Sequence, residues 1–163
     1  MPEAITNTSP MLYLYRIGVL EWLPQLCEDI WIPQAVVDEL QVGRRNGYEV
    51  PVPETYTWLE VVEPRAVPSK WLSLDLGPGE LAVLAIALDH PQRVVLLDDS
   101  RARRIAQTAG LTVWGTLKVL LEAKSQGLTN RITPHVDQLQ NAGMWMSKAI
   151  RQRILALAGE SQG

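Results

Sequence analysis

Cysteine occurs once in the 163 residues, as Cys27, histidine twice, and phenylalanine not at all. A single thiol excludes both a disulfide framework and a thiolate zinc cluster, and it fits a reducing compartment, so a cytoplasmic address is expected. His90 and His135 lie far apart, each beside a proline, which gives little support to a histidine-rich metal site or a Ser-His-Asp triad. Positive charge is not in excess either. Fifteen Lys and Arg against 18 Asp and Glu leave a formal charge of −3, which argues against a strongly cationic polyanion-binding domain. No run approaches the ~20 apolar residues of a membrane helix, and the first residues show neither the basic region nor the apolar core of a secretory signal. Whatever chemistry the chain carries is expected to rest on carboxylates.

What is present is the composition of a folded protein, with 47% hydrophobic and 20% charged residues. Residues 1–163 read as one domain, without internal repeats. Ala4-Ile5-Thr6 is a short apolar lead-in. Ser9-Pro10 reads as an N-cap and first helical residue, opening a helix that Gly18 ends. Ile30-Trp31-Ile32 reads as a buried strand stopped by Pro33, and the helix from Pro33 to Val42 is ended by Gly43. After Gly77-Pro78-Gly79-Glu80 comes Leu81 to Leu88, a helix apolar on every side, which must be buried centrally because a helix facing water shows a polar stripe. Val94-Val95-Leu96-Leu97 has the length and aliphatic continuity of a strand covered on both faces. A helix from Ser100, a strand Leu111 to Trp114, and helices that Thr116, Thr133 and Ser147 open complete the order. Strands alternating with helices predict an α/β three-layer sandwich with a mainly parallel sheet, since parallel strands need crossover helices.

In an open parallel sheet, ligands collect beyond the carboxyl ends of the strands, where strand order reverses. Two predicted strand ends, Asn7-Thr8 and Asp98-Asp99, carry polar residues that packing does not call for. Adjacent carboxylates joined by further acids raise one another's pKa unless a cation neutralises them, and Mg²⁺ or Mn²⁺ suits an oxygen donor set. Glu80 is the only charge in its helix. It reads equally as a first-turn Glu favoured by the helix dipole, worth ~0.3–1 kcal/mol, and as a ligand. Glu39 flanks the apolar face of its helix, whereas Asp38 points nearly the opposite way into solvent. One of Asp98 and Asp99 can serve as an N-cap, but a cap does not require two.

Thr6-Asn7-Thr8-Ser9-Pro10, Ile32-Pro33-Gln34-Ala35-Val36-Val37-Asp38-Glu39-Leu40, Gly79-Glu80 with its apolar helix, Leu97-Asp98-Asp99-Ser100-Arg101-Ala102-Arg103, and Gly115-Thr116-Leu117 follow one another in fixed order. Together they resemble the PIN-like nucleases, and among these a VapC-like subgroup of the DUF3368 type, from about residue 4 to residue 158. The resemblance implies a Rossmann-like sheet and an acid cluster holding one or two divalent ions, Mg²⁺ or Mn²⁺. It further implies hydrolysis of RNA phosphodiester bonds, often as the toxin of a toxin-antitoxin pair, with a homodimer and a small antitoxin as partners and no membrane. Carried over by motif, the catalytic and metal-binding residues are Asn7, Glu39, Glu80 and Asp99, with Asp98 as neighbour or alternative ligand. PIN nucleases generally place Asp after the first strand where this chain has Asn7. An amide oxygen ligates Mg²⁺ without adding negative charge, so weaker metal affinity is expected.

Thr8 and Arg101 are the candidate substrate contacts, the arginine ahead of Arg103 and Arg104, because these three open a helix directly after the acidic pair and a guanidinium binds phosphate bidentately. Trp22, Trp31 and Trp114 lie in periodic apolar segments and are expected in the core; Trp71 and Trp145 lie in irregular flanks, where an exposed indole marks a partner surface. A second reading keeps the fold as a binding or regulatory module, with Asn7 the sign of a degraded site. A third, a receiver-like or nucleotide-binding domain, fits less well, because the acidic pair follows a late strand and no phosphate-binding glycine loop follows an early one.

Overall fold

The computed structural model describes residues 1–160. Five strands form one wholly parallel sheet: β1 (Glu3–Thr6), β2 (Glu28–Ile32), β3 (Leu59–Val61), β4 (Val94–Leu96) and β5 (Val113–Trp114), in spatial order β3-β2-β1-β4-β5. The alternation of strands with helices therefore does produce an α/β sandwich, with helices α1 (Thr8–Arg16), α2 (Leu23–Leu26), α3 (Gln34–Arg45), α4 (Pro78–Asp89), α5 (Ser100–Thr108), α6 (Thr116–Ser125), α7 (Thr133–Asn141) and α8 (Lys148–Leu157). Successive strand residues serve opposite faces. Ala4, Val94 and Leu96 pack into one core layer with residues of α1, α2, α6, α7 and α8, while Ile5, Val95 and Leu97 pack into the other with α3, α4 and α5.

Chain direction reverses its lateral course between β1 and β4. From β1 the sheet grows through β2 to β3, and from β4 it grows the other way to β5, so the crevice at the carboxyl ends of β1 and β4 is the switch point. Ile5 pairs with Val95 and Thr6 with Leu96, and the Asn7 amide donates to the Leu96 carbonyl at 3.1 Å, which carries the ladder one residue further. Asn7 and Asp98 thereby leave neighbouring strands side by side.

As its composition requires, α4 is enclosed: every residue from Leu81 to Ala87 is buried. Several boundaries differ from the sequence reading for local reasons. Helix α1 begins at Thr8 with Asn7 in the cap position, so Ser9 is helical rather than capping. Helix α6 begins at Thr116 with Gly115 as its cap, and Thr116 uses its hydroxyl elsewhere. Gly43 does not stop α3, which runs through it to Arg45; a Cβ there would lie 3.3 Å from Val50 Cγ1, so glycine serves close packing. The stop is Gly47, at φ +88°. Gly47→Ala is expected to cost about 1 kcal/mol, read as a lowered melting temperature, because only glycine adopts that conformation freely. Strand β5 is confined to two residues, and Trp22, Trp31, Trp114 and Trp71 are all half-buried against the core layers rather than enclosed or free.

At the amino ends of β1 and β2 the buried Arg93 guanidinium stacks on the Trp31 ring at 3.2 Å from its centroid. It also donates to the Ala4 carbonyl and to both the carbonyl and the carboxylate of Asp29. This cation fixes the strands at the end remote from the crevice. No helix among the described residues is long and apolar enough to cross a membrane.

Candidate active site at the switch point

Asn7 occupies a cap position with extended backbone, yet its side chain makes no capping hydrogen bond. That is unusual for a residue type that caps well. Its Oδ1 is instead buried and without a hydrogen-bond partner. A buried polar atom left unpaired costs on the order of 1–3 kcal/mol, so a water or a ligand at this oxygen would be stabilising.

Beside it stands Glu39. Helix α3 turns Val36, Val37 and Leu40 into the core and leaves Glu39 half-buried at the crevice. Asp38 is exposed and accepts from the Gln34 amide at 2.9 Å, as the helical spacing implies. Glu39 Oε1 accepts from the Gly79 N–H at 2.8 Å and Oε2 from the Thr8 hydroxyl at 3.0 Å, so one carboxylate joins the first turns of α1 and α4. Anions are favoured at both helix starts. Gly79 makes this approach possible. A Cβ on that residue would fall well inside van der Waals contact of Glu39 Oε1 and 3.1 Å from Asn7 Oδ1, which places both oxygens over the same α-carbon.

Glu80, the next residue, is half-buried and accepts from the Gly77 N–H at 3.1 Å through Oε1. The dipole-favoured position is therefore real, and the other oxygen keeps no hydrogen bond among the described residues. Burial pushes the Glu80 carboxyl above its ordinary value, the Gly77 hydrogen bond opposes this, and the negative charges of Asp99 and Glu39 push it further up. The three acids thus share one electrostatic environment.

Asp98 and Asp99 part company. Asp99 caps α5, its Oδ2 accepting from the Ala102 N–H at 2.9 Å, with Oδ1 left free of hydrogen bonds among the described residues. Asp98 reaches across to β5 and α6, accepting from the Thr116 N–H at 2.8 Å and from the Thr116 hydroxyl at 2.7 Å. Its carboxyl is raised by burial, against which the two Thr116 bonds and the Arg103 charge pull it down. With both oxygens engaged, Asp98 fastens the start of α6 to the end of β4. Arg101 pairs with Asp75 at 3.0 Å on the exposed surface, whereas Arg103 lies against Asp98 and the Gly115 α-carbon.

The structure therefore gathers Asn7, Thr8, Glu39 and Gly79 in direct contact, adds Glu80 and Asp99 within charge-charge range, and turns Asp98 and Arg101 to other partners. Among the described residues, no three carboxylate, imidazole or thiolate groups stand close enough to share an ion. Gly79 stands in a motif quoted from the sequence, but sequence alone gives it no role at the site. Its signal was a glycine inside the first turn of an otherwise strongly helical segment, where it costs about 1 kcal/mol relative to alanine. Arg103, which the sequence ranks below Arg101, is the arginine that lies beside Asp98.

No curated protein matches the chain. The family model of the DUF3368 PIN domain matches residues 3–160. PIN domains have a nuclease-type fold and generally use divalent metals. With the match spanning nearly all of the sequence and the sheet wholly parallel, the chain belongs to the DUF3368 family of PIN domains.

Proposed function

We propose that the protein is a divalent-metal-dependent endoribonuclease that acts as the toxin of a VapC-like toxin-antitoxin pair, as a homodimer held in check by a small antitoxin. One observation carries the catalytic part: the buried, unpartnered Asn7 Oδ1 and the Glu39 carboxylate converge over Gly79, beside the raised Glu80 carboxyl and Asp99. An orphaned amide oxygen among carboxylates is an all-oxygen donor set, which fits Mg²⁺ or Mn²⁺. Asn7, Glu39, Glu80 and Asp99 would hold the ion. It would supply a more acidic bound water and charge neutralisation on the phosphate.

The chain's own residues have separate roles. Thr8 and the Gly79 N–H hold Glu39 in place, and Glu80 and Asp99 each present the oxygen not used by a helix cap. Asp98 acts as a positioning residue through Thr116. The antitoxin, the dimer and the toxin role rest on the likeness of motifs alone.

Two facts favour the alternative of a degraded module that works through protein partners: Asn7 adds no charge, and no three acids among the described residues stand within reach of a common ion. Cleavage separates the readings. The wild-type chain is expected to cut a single-stranded RNA in Mg²⁺, to stop when the metal is chelated, and to resume in Mn²⁺; an intact RNA under all conditions supports the module. Asn7→Asp supplies a graded check. It is expected to tighten Mn²⁺ binding about tenfold in a calorimetric titration, and to lower the metal-free melting temperature through repulsion with Glu39. Weaker Mn²⁺ binding would contradict the site.

A further inference from the structure

A cleft of about 550 Å³ opens directly beside the acids. Asp99 belongs to its wall, and so do Arg103, Tyr13, Met144, Trp145 and Ser147. Its size lies in the range of small-ligand sites, ~300–1,000 Å³. Three features distinguish it. First, Trp145 is 85% exposed, the most exposed of the large apolar side chains and held in the segment between α7 and α8. No packing within the described residues explains a tryptophan there, and exposed indoles are costly to solvate. Second, Arg103 makes no ion pair closer than 4.0 Å among the described residues, although Arg101 two residues earlier does. Third, Asp98 and Asp99 both belong to the wall of the cleft, so whatever fills it lies beside the acids of the proposed site.

A flat aromatic face, a guanidinium beside Asp98 but outside ion-pair distance of it, and hydroxyls around a cleft of this size match one chemistry, that of a nucleotide. Unpaired bases stack on aromatic side chains, which is worth ~1–3 kcal/mol per base, and arginine binds phosphate oxygens with two parallel hydrogen bonds. The net charge of −3 makes this local cation the more significant, because RNA affinity comes largely from phosphate contacts.

We infer that this cleft is a nucleotide subsite for single-stranded RNA, in which Trp145 stacks on a base adjoining the scissile phosphate and Arg103 holds a phosphate next to it. The inference rests on the ribonuclease reading above and adds the two residues that would contact a nucleotide beside the cleaved bond. Duplex RNA is excluded because its bases are not available for stacking.

The test is binding of a fluorescein-labelled single-stranded RNA decamer to the full chain with metal chelated, followed by anisotropy. An abasic ribose-phosphate decamer serves as the second probe. Trp145→Ala is expected to weaken RNA binding about tenfold, Trp145→Phe to restore most of it, and neither to change affinity for the abasic chain. Arg103→Ala is expected to weaken both probes alike and to flatten the dependence of log K on log salt by about one phosphate contact. Two results overturn the subsite: RNA affinity unchanged in Trp145→Ala, or the same loss on the abasic chain. If Trp145→Ala instead changes only the sedimentation behaviour, the surface is a protein interface and the proposal is wrong. Failure of the ribonuclease reading shows separately, as absence of metal-dependent cleavage by a chain that still binds RNA through Trp145.

Discussion

Gly79→Ala is expected to lower the proposed metal-dependent RNA cleavage about 100-fold or more while leaving the protein folded. The α-carbon of Gly79 faces the Glu39 carboxylate so closely that an added Cβ and Glu39 Oε1 cannot coexist. The atom that must yield is the tip of a flexible side chain, so the backbone of α4 stays where it is. Glu39 swings away instead and loses its hydrogen bonds from Gly79 and Thr8. The same methyl group crowds Asn7 Oδ1 at 3.1 Å. Displacing a positioned group by about 1 Å commonly costs on the order of 100-fold in rate, and here two oxygens shift together, so a loss of about 100-fold or more in kcat/KM is expected. Alanine itself is the better helix former, which offsets part of the strain on the folded state. Gly77→Ala is the control. A Cβ there would meet Glu80 Oε1 at 3.7 Å, an ordinary contact, and the backbone at φ −70° accepts any residue. Steady-state cleavage and thermal melting of the two variants check the argument. Equal activity in both would mean that the placement of Glu39 does not matter.

That contrast also marks where sequence reasoning reaches and where it stops. Periodicity is a property of single elements, and it located the apolar α4, the β4 run and the choice of Glu39 over Asp38, each decided by which face an element must bury. The partition between Asp98 and Asp99 is of another kind. Consecutive residues leaving a strand project in different directions, and which one caps α5 and which one crosses to Thr116 depends on β5 lying alongside β4. Arg101 and Arg103 differ in the same way. One finds Asp75 and the other the cleft, because they lie two residues apart on a helix and so on different faces. Gly43 and Gly79 show the same limit for glycine. A helix-breaking type was visible at both, but the reason for each was an approaching side chain from a distant segment, Val50 for one and Glu39 for the other.

Glu160→Gln is expected to lower the melting temperature by roughly 4–10 °C at pH 7, and by progressively less as the pH is lowered. Glu160 follows α8 at the end of the described chain, with its side chain only 6% exposed. Burial pushes its carboxyl up. This is outweighed by hydrogen bonds from Lys124, from the Ile132 N–H and from both the N–H and the hydroxyl of Thr133, which together bring it down to about 2. The carboxylate thus supplies, from a distant part of the chain, the acceptor that the first turn of α7 lacks in its own cap residue, Ile132. Because the folded state holds the proton less tightly than the unfolded chain does, the stabilisation is complete above the ordinary carboxyl value of 4.5 and is lost as the pH falls towards about 2. At neutral pH it is worth about 2–3 kcal/mol, allowing for the carboxylate's place near the surface. A glutamine keeps the shape but presents an amide NH₂ to Lys124 and to backbone donors, so part of the set goes unpaired. Melting curves of the two proteins from pH 7 down to pH 2.5 give the readout, since the difference between them isolates this one group. A gap that stays constant across that range would show that shape rather than charge is responsible. Lys124 lies on α6, and the first residue of α6 is the Thr116 that Asp98 grips, so the same carboxylate braces the helix on which one wall of the switch-point crevice depends.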